Sequence, residues 1–217
     1  MSYEKHNEND ITQMGNPAKP QGEAGKEMLI RMNDSHFEVT GWALSFFNFK
    51  DYDTILDIGC GGGLTLNRIS KKVPNGKIYG VDYSDISVST SKETNAEDIS
   101  SGKAEILKAS VENLPFENDF FEKIITVESF YFWPEPIENL REVRRILKPD
   151  GQFLLVADIY NRDDLPQHAK ENIAKYKLRN PSIEEFHSMF EKAGFSEISI
   201  HTKTGTSWIC VEGKKRA

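Results

Sequence analysis

Four glycines crowd into five positions between an apolar run and a helical one. Thr54-Ile55-Leu56-Asp57-Ile58 leads straight into Gly59-Cys60-Gly61-Gly62-Gly63, and Leu64, Leu66 and Ile69 follow at helical spacing. A β-branched run ended by glycine and followed by a 3.6-residue period reads as strand, tight turn, helix. Glycine allows positive φ and removes Cβ, so a ligand can lie against bare backbone. The free N–H groups of the following helix add donors and a positive dipole end. A turn that binds nothing needs fewer glycines than four.

The same alternation continues along the chain. Lys77–Val81 is a second predicted strand, ending at Asp82, and Ser84–Ile99 a helix rich in Ser and Thr. Ala104–Leu107 and Glu122–Val127 are further strands, and Glu135–Leu147 is an amphipathic helix with KPDG (148–151) as its exit turn. Gln152–Ala157 is a fifth strand. Ser182 and Glu185 have capping-box spacing at the head of a helix that Gly194 ends. Phe195–His201 and Ser207–Val211 are close enough in sequence to form a hairpin.

Strands alternating with helices build parallel βαβ units with helices on both faces. The expected fold is one Rossmann-like, doubly wound α/β domain: a seven-stranded, mostly parallel sheet with a C-terminal antiparallel hairpin. Residues 1–25, polar and punctuated by Gly and Pro, read as a flexible arm that orders over a ligand. The remainder, 26–217, reads as the domain itself, with short N-terminal helices over 26–50. In such sheets ligands bind at the carboxyl ends of the strands, near the reversal of strand order. That puts Asp57–Gly63, Asp82, Ser110 and Val127–Glu128 around one cleft.

A dinucleotide turn would follow G-x-G-x-x-G, but Leu64 stands where its third glycine belongs. A phosphate loop would need a Lys-Ser or Lys-Thr pair after the glycines, and none follows. Asp57 would repel a phosphate and suit an ammonium. Asp82, nineteen positions after Gly63, ends the second strand, where a carboxylate can accept both ribose hydroxyls of an adenosine. Its plainer reading is an acid favoured by a helix N-terminus.

ILDIGCGGG, GVDYS, KASVENLPFEND, EKIITVESFYFWP and RRILKPDGQFLL, in that order, resemble the class I S-adenosylmethionine-dependent methyltransferases. The likeness is to the small-molecule branch related to ubiquinone and menaquinone methyltransferases. It spans roughly residues 50–157, about half the chain, and the ending AGFSEISI fits it too. The resemblance implies S-adenosylmethionine as cofactor and S-adenosylhomocysteine as product. It puts Gly59, Cys60, Gly61 and Gly63 beside the methionyl part and ribose, Asp57 at the amino group and Asp82 on the ribose. Tyr83 then lies near the adenine, Ser110 and Val111 line its edge, and Val127 offers a carbonyl to the ammonium. The family usually has Asp where this chain has Ser110, and Glu112 or water is the replacement for that charge.

In-line methyl transfer asks the protein mainly for alignment. A general base is needed only when the acceptor must lose a proton. His36 is the base candidate on pKa grounds, against the plainer reading of a surface or capping histidine. Glu128 divides between a catalytic contact and plain solvent exposure. Trp42, Tyr131, Trp133 and Tyr160 are candidates for the acceptor pocket, with 158–181 as the segment that covers it. His168, His187 and His201 have no metal spacing, and no metal is expected.

A formal net charge of −7 disfavours nucleic acid as a partner; the resemblance implies a small methyl acceptor, and protein methylation has no positive support in the sequence. Two cysteines, Cys60 and Cys210, support no disulfide framework. No apolar run is long enough to span a bilayer, and the polar N-terminus has no secretory h-region, so a cytoplasmic location is expected. An NAD(P)-dependent oxidoreductase and a non-catalytic S-adenosylmethionine-binding module are the competing classes.

Overall fold

A computed structural model describes residues 15–216. Seven strands form one sheet: β1 (Thr54–Ile58), β2 (Lys77–Asp82), β3 (Ala104–Lys108), β4 (Phe121–Val127), β5 (Leu147–Ala157), β6 (Ser196–Thr202) and β7 (Ile209–Lys214). Their order is β3-β2-β1-β4-β5-β7-β6. The pairs among β1–β5 are parallel, and β7 is antiparallel to both its neighbours. The chain winds outward from β1 to β3 and then returns to β4, so order reverses between β1 and β4. Neighbouring loops diverge there and open a crevice.

Period-2 alternation divides the core into two layers. On β5, Phe153, Leu155 and Ala157 face one cluster, while Leu154 and Val156 face the other. The first layer is covered by helices whose apolar stripes hold Leu140, Val143 and Ile146, and Phe186 and Phe190. The second is covered by Val39, Ala43 and Leu44 with Leu66 and Ile69. Helices α1 (Gly22–Ser35) and α2 (Phe37–Leu44) precede the sheet, and α3 (Leu64–Ser70) follows the glycine turn. Then come α4 (Asp85–Thr94), α5 (Ala96–Ser100), α6 (Pro136–Ile146), α7 (Gln167–Tyr176) and α8 (Ile183–Ala193). Ser182 caps α8 in a complete capping box, and Gly194 ends it in the left-handed conformation.

Three local expectations need correction. Helix α1 begins at Gly22, inside the stretch read as an arm, and residues 1–14 lie outside the described residues. The single helix expected over 84–99 is two, broken at Asn95. The Asn95 side-chain amide donates to the carbonyls of Gly63 and Ser91, at 3.0 and 2.9 Å, tying the break to the glycine turn. The KPDG segment is not a free turn but the irregular start of β5. Asp150 has φ 61°, and its amide donates to the Lys215 carbonyl at 2.7 Å, tying the segment to the C-terminal end of the chain.

Candidate active site

The glycine turn is held down by β2: the amides of Gly59 and Cys60 both donate to the Val81 carbonyl, at 2.8 and 3.1 Å. Gly59 has φ 73°, and a Cβ there would come within 2.4 Å of the Ser129 side chain. Only glycine satisfies both limits. Gly63 has φ 82°, and its Cβ would strike Ser91 and Asn95 at 2.5 and 2.6 Å. Gly63 therefore serves the close approach of α3 to α4, and it does not line the cavity.

That cavity, about 320 Å³, lies over the turn at the carboxyl ends of β1, β2 and β4. Of the expected cofactor residues, Asp57, Gly59, Cys60, Gly61, Asp82, Tyr83, Ser110, Val111, Glu112 and Val127 all line it. The roof comes from α1 and α2, through Leu29, Met32, His36 and Phe37, and from Pro17, Ala18 and Pro20 of the preceding segment. Ser84 Oγ anchors that segment by donating to the Pro20 carbonyl at 2.7 Å.

Two carboxylates dominate the floor. Asp82 Oδ2 accepts from the Gly61 amide at 3.1 Å and Oδ1 from the Ser84 amide at 2.9 Å. Burial raises its pKa, and those backbone donors work in the opposite direction. Asp57 is 2 % exposed, and its Oδ1 has no hydrogen-bond partner among the described residues. Burial, and then the charge of Asp82, push its pKa up to about 8. Such an acid is stable neutral or opposite a cation. Ser87, also buried, lines the same cavity, and its side chain helps hold the Asp82 pKa down.

The Ser110 hydroxyl donates to Glu112 Oε2 at 3.0 Å, which brings a carboxylate beside position 110. Tyr83 is 40 % exposed at the rim, with Lys19 Nζ 5.6 Å from its ring centre. Cys60 is buried, its thiol donating to Ser91 Oγ at 3.6 Å, and burial pushes its pKa well up, which removes it as a nucleophile. Arg68 of α3 contributes a guanidinium to the wall, stacked 4.1 Å from the Phe37 ring centre. Gly41 leaves it room, since a Cβ there would lie 2.5 Å from Arg68 Nη2. Neither Arg68 nor Ser87 has a sequence motif that singles it out.

On the far side of the turn, His36, Glu128 and Trp133 line the cavity, but Trp42, Tyr131 and Tyr160 do not. Trp42 packs against Phe46 and Trp208. The Tyr131 hydroxyl donates to Asp158 Oδ1 at 3.0 Å, and the Tyr160 ring lies under Arg162. No residue of 158–181 lines the cavity; aromatic character alone did not separate its wall from the neighbouring core. His36, Glu128 and Asp158 instead gather with ligand atoms within 4.8 Å of one another. Their separation along the chain hides that grouping from any spacing argument. His187 pairs with Glu191, and His201 stacks on Phe46 at 3.9 Å. Among the described residues no helix is long and apolar enough to cross a membrane.

Residues 49–194 match the model of a methyltransferase domain family. A rice 2-methyl-6-phytyl-1,4-hydroquinone methyltransferase (Oryza sativa subsp. japonica) is 27% identical over 154 residues, covering 71% of this chain and 44% of that protein. The chain thus spans under half the length of that relative. A demethylmenaquinone methyltransferase of Staphylococcus aureus is 27% identical over 173 residues, covering 69% of this chain and 70% of the other. In fold, the chain matches the crystal structure of a SAM-dependent methyltransferase from Aquifex aeolicus. The TM-score is 0.65 at 21% identity, covering 96% of this chain and 98% of that one.

Proposed function

The chain belongs to the methyltransferase domain family, and on that premise we propose that it moves the methyl group of S-adenosylmethionine to a small-molecule acceptor by in-line displacement. One observation carries the reading: two buried acids, Asp57 and Asp82, with no ion pair to a Lys or Arg among the described residues, lie beside bare glycine backbone in a cavity that Arg68 also lines. S-adenosylmethionine has the matching charges, an ammonium and a sulfonium with one carboxylate. A dinucleotide would bring a pyrophosphate against the two acids and be repelled.

In this reading Asp57 and the Val127 carbonyl take the ammonium, and Arg68 the carboxylate. Asp82 accepts from the ribose hydroxyls, with Ser87 able to exchange a further hydrogen bond. Tyr83 lies against the adenine, while Val111 and the Ser110–Glu112 pair meet its edge and exocyclic amine. The described part of the N-terminal segment closes over the cofactor. Phe37, Phe132 and Trp133 give the acceptor side an apolar wall, which suits a planar ring of the kind named for the rice and staphylococcal relatives. Holding that ring in line with the sulfonium supplies about 7–11 kcal/mol of the barrier reduction.

The test is thermal unfolding with S-adenosylmethionine, S-adenosylhomocysteine, NAD and NADP. At 100 times its dissociation constant a ligand stabilises by about 2.7 kcal/mol, roughly 5–10 °C for a chain of this size. A shift with the two sulfur ligands alone is expected. A shift with a nicotinamide dinucleotide alone overturns the reading.

A further inference from the structure

The cavity's acceptor side carries a second chemical group that the cofactor does not use. His36 stands between α1 and α2, Glu128 at the end of β4 and Asp158 at the end of β5, and the three converge within 4.8 Å. His36 and Glu128 line the cavity, while Asp158 stands behind them. The cluster is built rather than incidental. Glu128 accepts from the Asp158 amide and has φ 57°, a left-handed conformation that a residue with a Cβ enters at a cost. The Tyr131 hydroxyl holds Asp158 Oδ1 at 3.0 Å and itself accepts from the Ile159 amide at 3.3 Å. Ser207 Oγ donates to the Asp158 carbonyl at 2.7 Å.

No ion pair joins either carboxylate to a Lys or Arg among the described residues. Two carboxyl groups this close favour sharing one proton and one negative charge. Burial, then the charge of Asp158, raise the Glu128 pKa well above the ordinary range. Glu128 is therefore held toward its neutral form. Burial lowers the His36 pKa while the charge of Asp158 opposes it. The imidazole thus rests neutral, beside a fixed negative charge that stabilises it once protonated.

We propose that His36 is the general base for an acceptor with an acidic hydroxyl on a planar ring, a phenol or enol, and that Asp158 is the positioning residue that orients its ring and balances its charge. The proposal rests on S-adenosylmethionine being the methyl donor. The acceptor O–H bond breaks, its electron pair staying on oxygen and its proton passing to the free imidazole nitrogen. The oxygen pair then forms a bond to the methyl carbon as the C–S bond breaks. Sulfur keeps that pair, giving S-adenosylhomocysteine and a methyl ether, and the imidazolium returns its proton to water. The apolar faces of Phe132 and Trp133 hold the ring but offer no charge to its anion, so the proton acceptor decides which rings react.

The probe is 4-nitrophenol, whose phenolate is coloured, added to the protein saturated with S-adenosylhomocysteine at a pH one unit below the probe's own pKa. Wild-type protein should increase the phenolate band on binding. His36→Gln should reduce that increase about tenfold or more, and Asp158→Asn about threefold to tenfold. Binding of 4-nitroanisole, which has no proton to give, should be equal in all three. The asparagine still accepts from Tyr131, so a purely structural role for Asp158 would leave the band unchanged. An undiminished band in His36→Gln, or no band in wild-type protein that binds S-adenosylhomocysteine, overturns the proposal. So does a band that EDTA abolishes, which would make the cluster a cation site. Failure of wild-type protein to bind S-adenosylhomocysteine at all would remove the methyl-donor reading first.

Discussion

Strands β1 and β4 bury acids at both ends, and the two ends treat them in opposite ways. At the amino end, Asp53 and Lys123 form an ion pair at 2.6 Å with side chains 2 % and 7 % exposed, and Asp53 also accepts from the Lys50 amide at 2.8 Å. At the carboxyl end, four and five residues further along, Asp57 and Glu128 are as deeply buried and have no chain cation in any described ion pair. Burial is common to both ends, so it does not mark the site. The difference is the missing counterion. At the amino end a lysine of the chain faces the acid; at the cleft no described ion pair joins the acids to a lysine or arginine.

Breaking the amino-end pair should have the largest effect. Lys123→Met leaves Asp53 buried and uncompensated, and should cost about 3–5 kcal/mol in urea unfolding. Asp53→Asn in the same chain should recover much of that loss. Affinity for S-adenosylhomocysteine should stay at the wild-type level in the double variant, because neither residue lines the cavity. A loss of affinity there would mean that the two ends are coupled.

Asp82→Ala should weaken S-adenosylhomocysteine binding by about 1.5–3 kcal/mol in calorimetry, the usual range for a charged hydrogen-bond partner. Unchanged affinity would remove Asp82 from the ribose.

Asp57→Asn should act with opposite sign in its two readouts. The folded-state pKa of about 8 lies far above that of an unfolded aspartate. The protonated acid therefore stabilises the fold at low pH, and that contribution is lost as pH rises toward 8. Without ligand, the variant should match wild type near pH 4 and melt higher near pH 9, by up to several kcal/mol, since each unit of pKa shift is about 1.4 kcal/mol. It should also bind S-adenosylhomocysteine more weakly at that pH, having no charge for the ammonium. A variant that melts lower at pH 9 would show Asp57 to be structural, like Asp53.

Both the pairing and its absence lie partly outside what one sequence shows. Asp57 is legible as a site acid because it adjoins the glycines, and Asp82 because it ends the next strand. Asp53, four residues before Asp57, has no such neighbour, and its partner Lys123 is seventy positions away. Gly63 belongs to the legible motif, yet it acts as a packing contact for α4, since what its missing Cβ would strike is tertiary. Tyr131 and Trp133, two residues apart, divide between core and cavity because a 3-10 turn over Phe130–Phe132 redirects the chain.

Local periodicity and turn chemistry settled the strands, the glycine turn and the fold class, because each is written in neighbouring residues. The sheet register alone, with Val127 opposite Val156, carries Glu128 up to Asp158. The docking of α1 and α2 over the cleft alone brings His36 to them. Those distances arise between elements far apart in sequence, and only the folded chain, where packing sets one register and one docking angle, decided them.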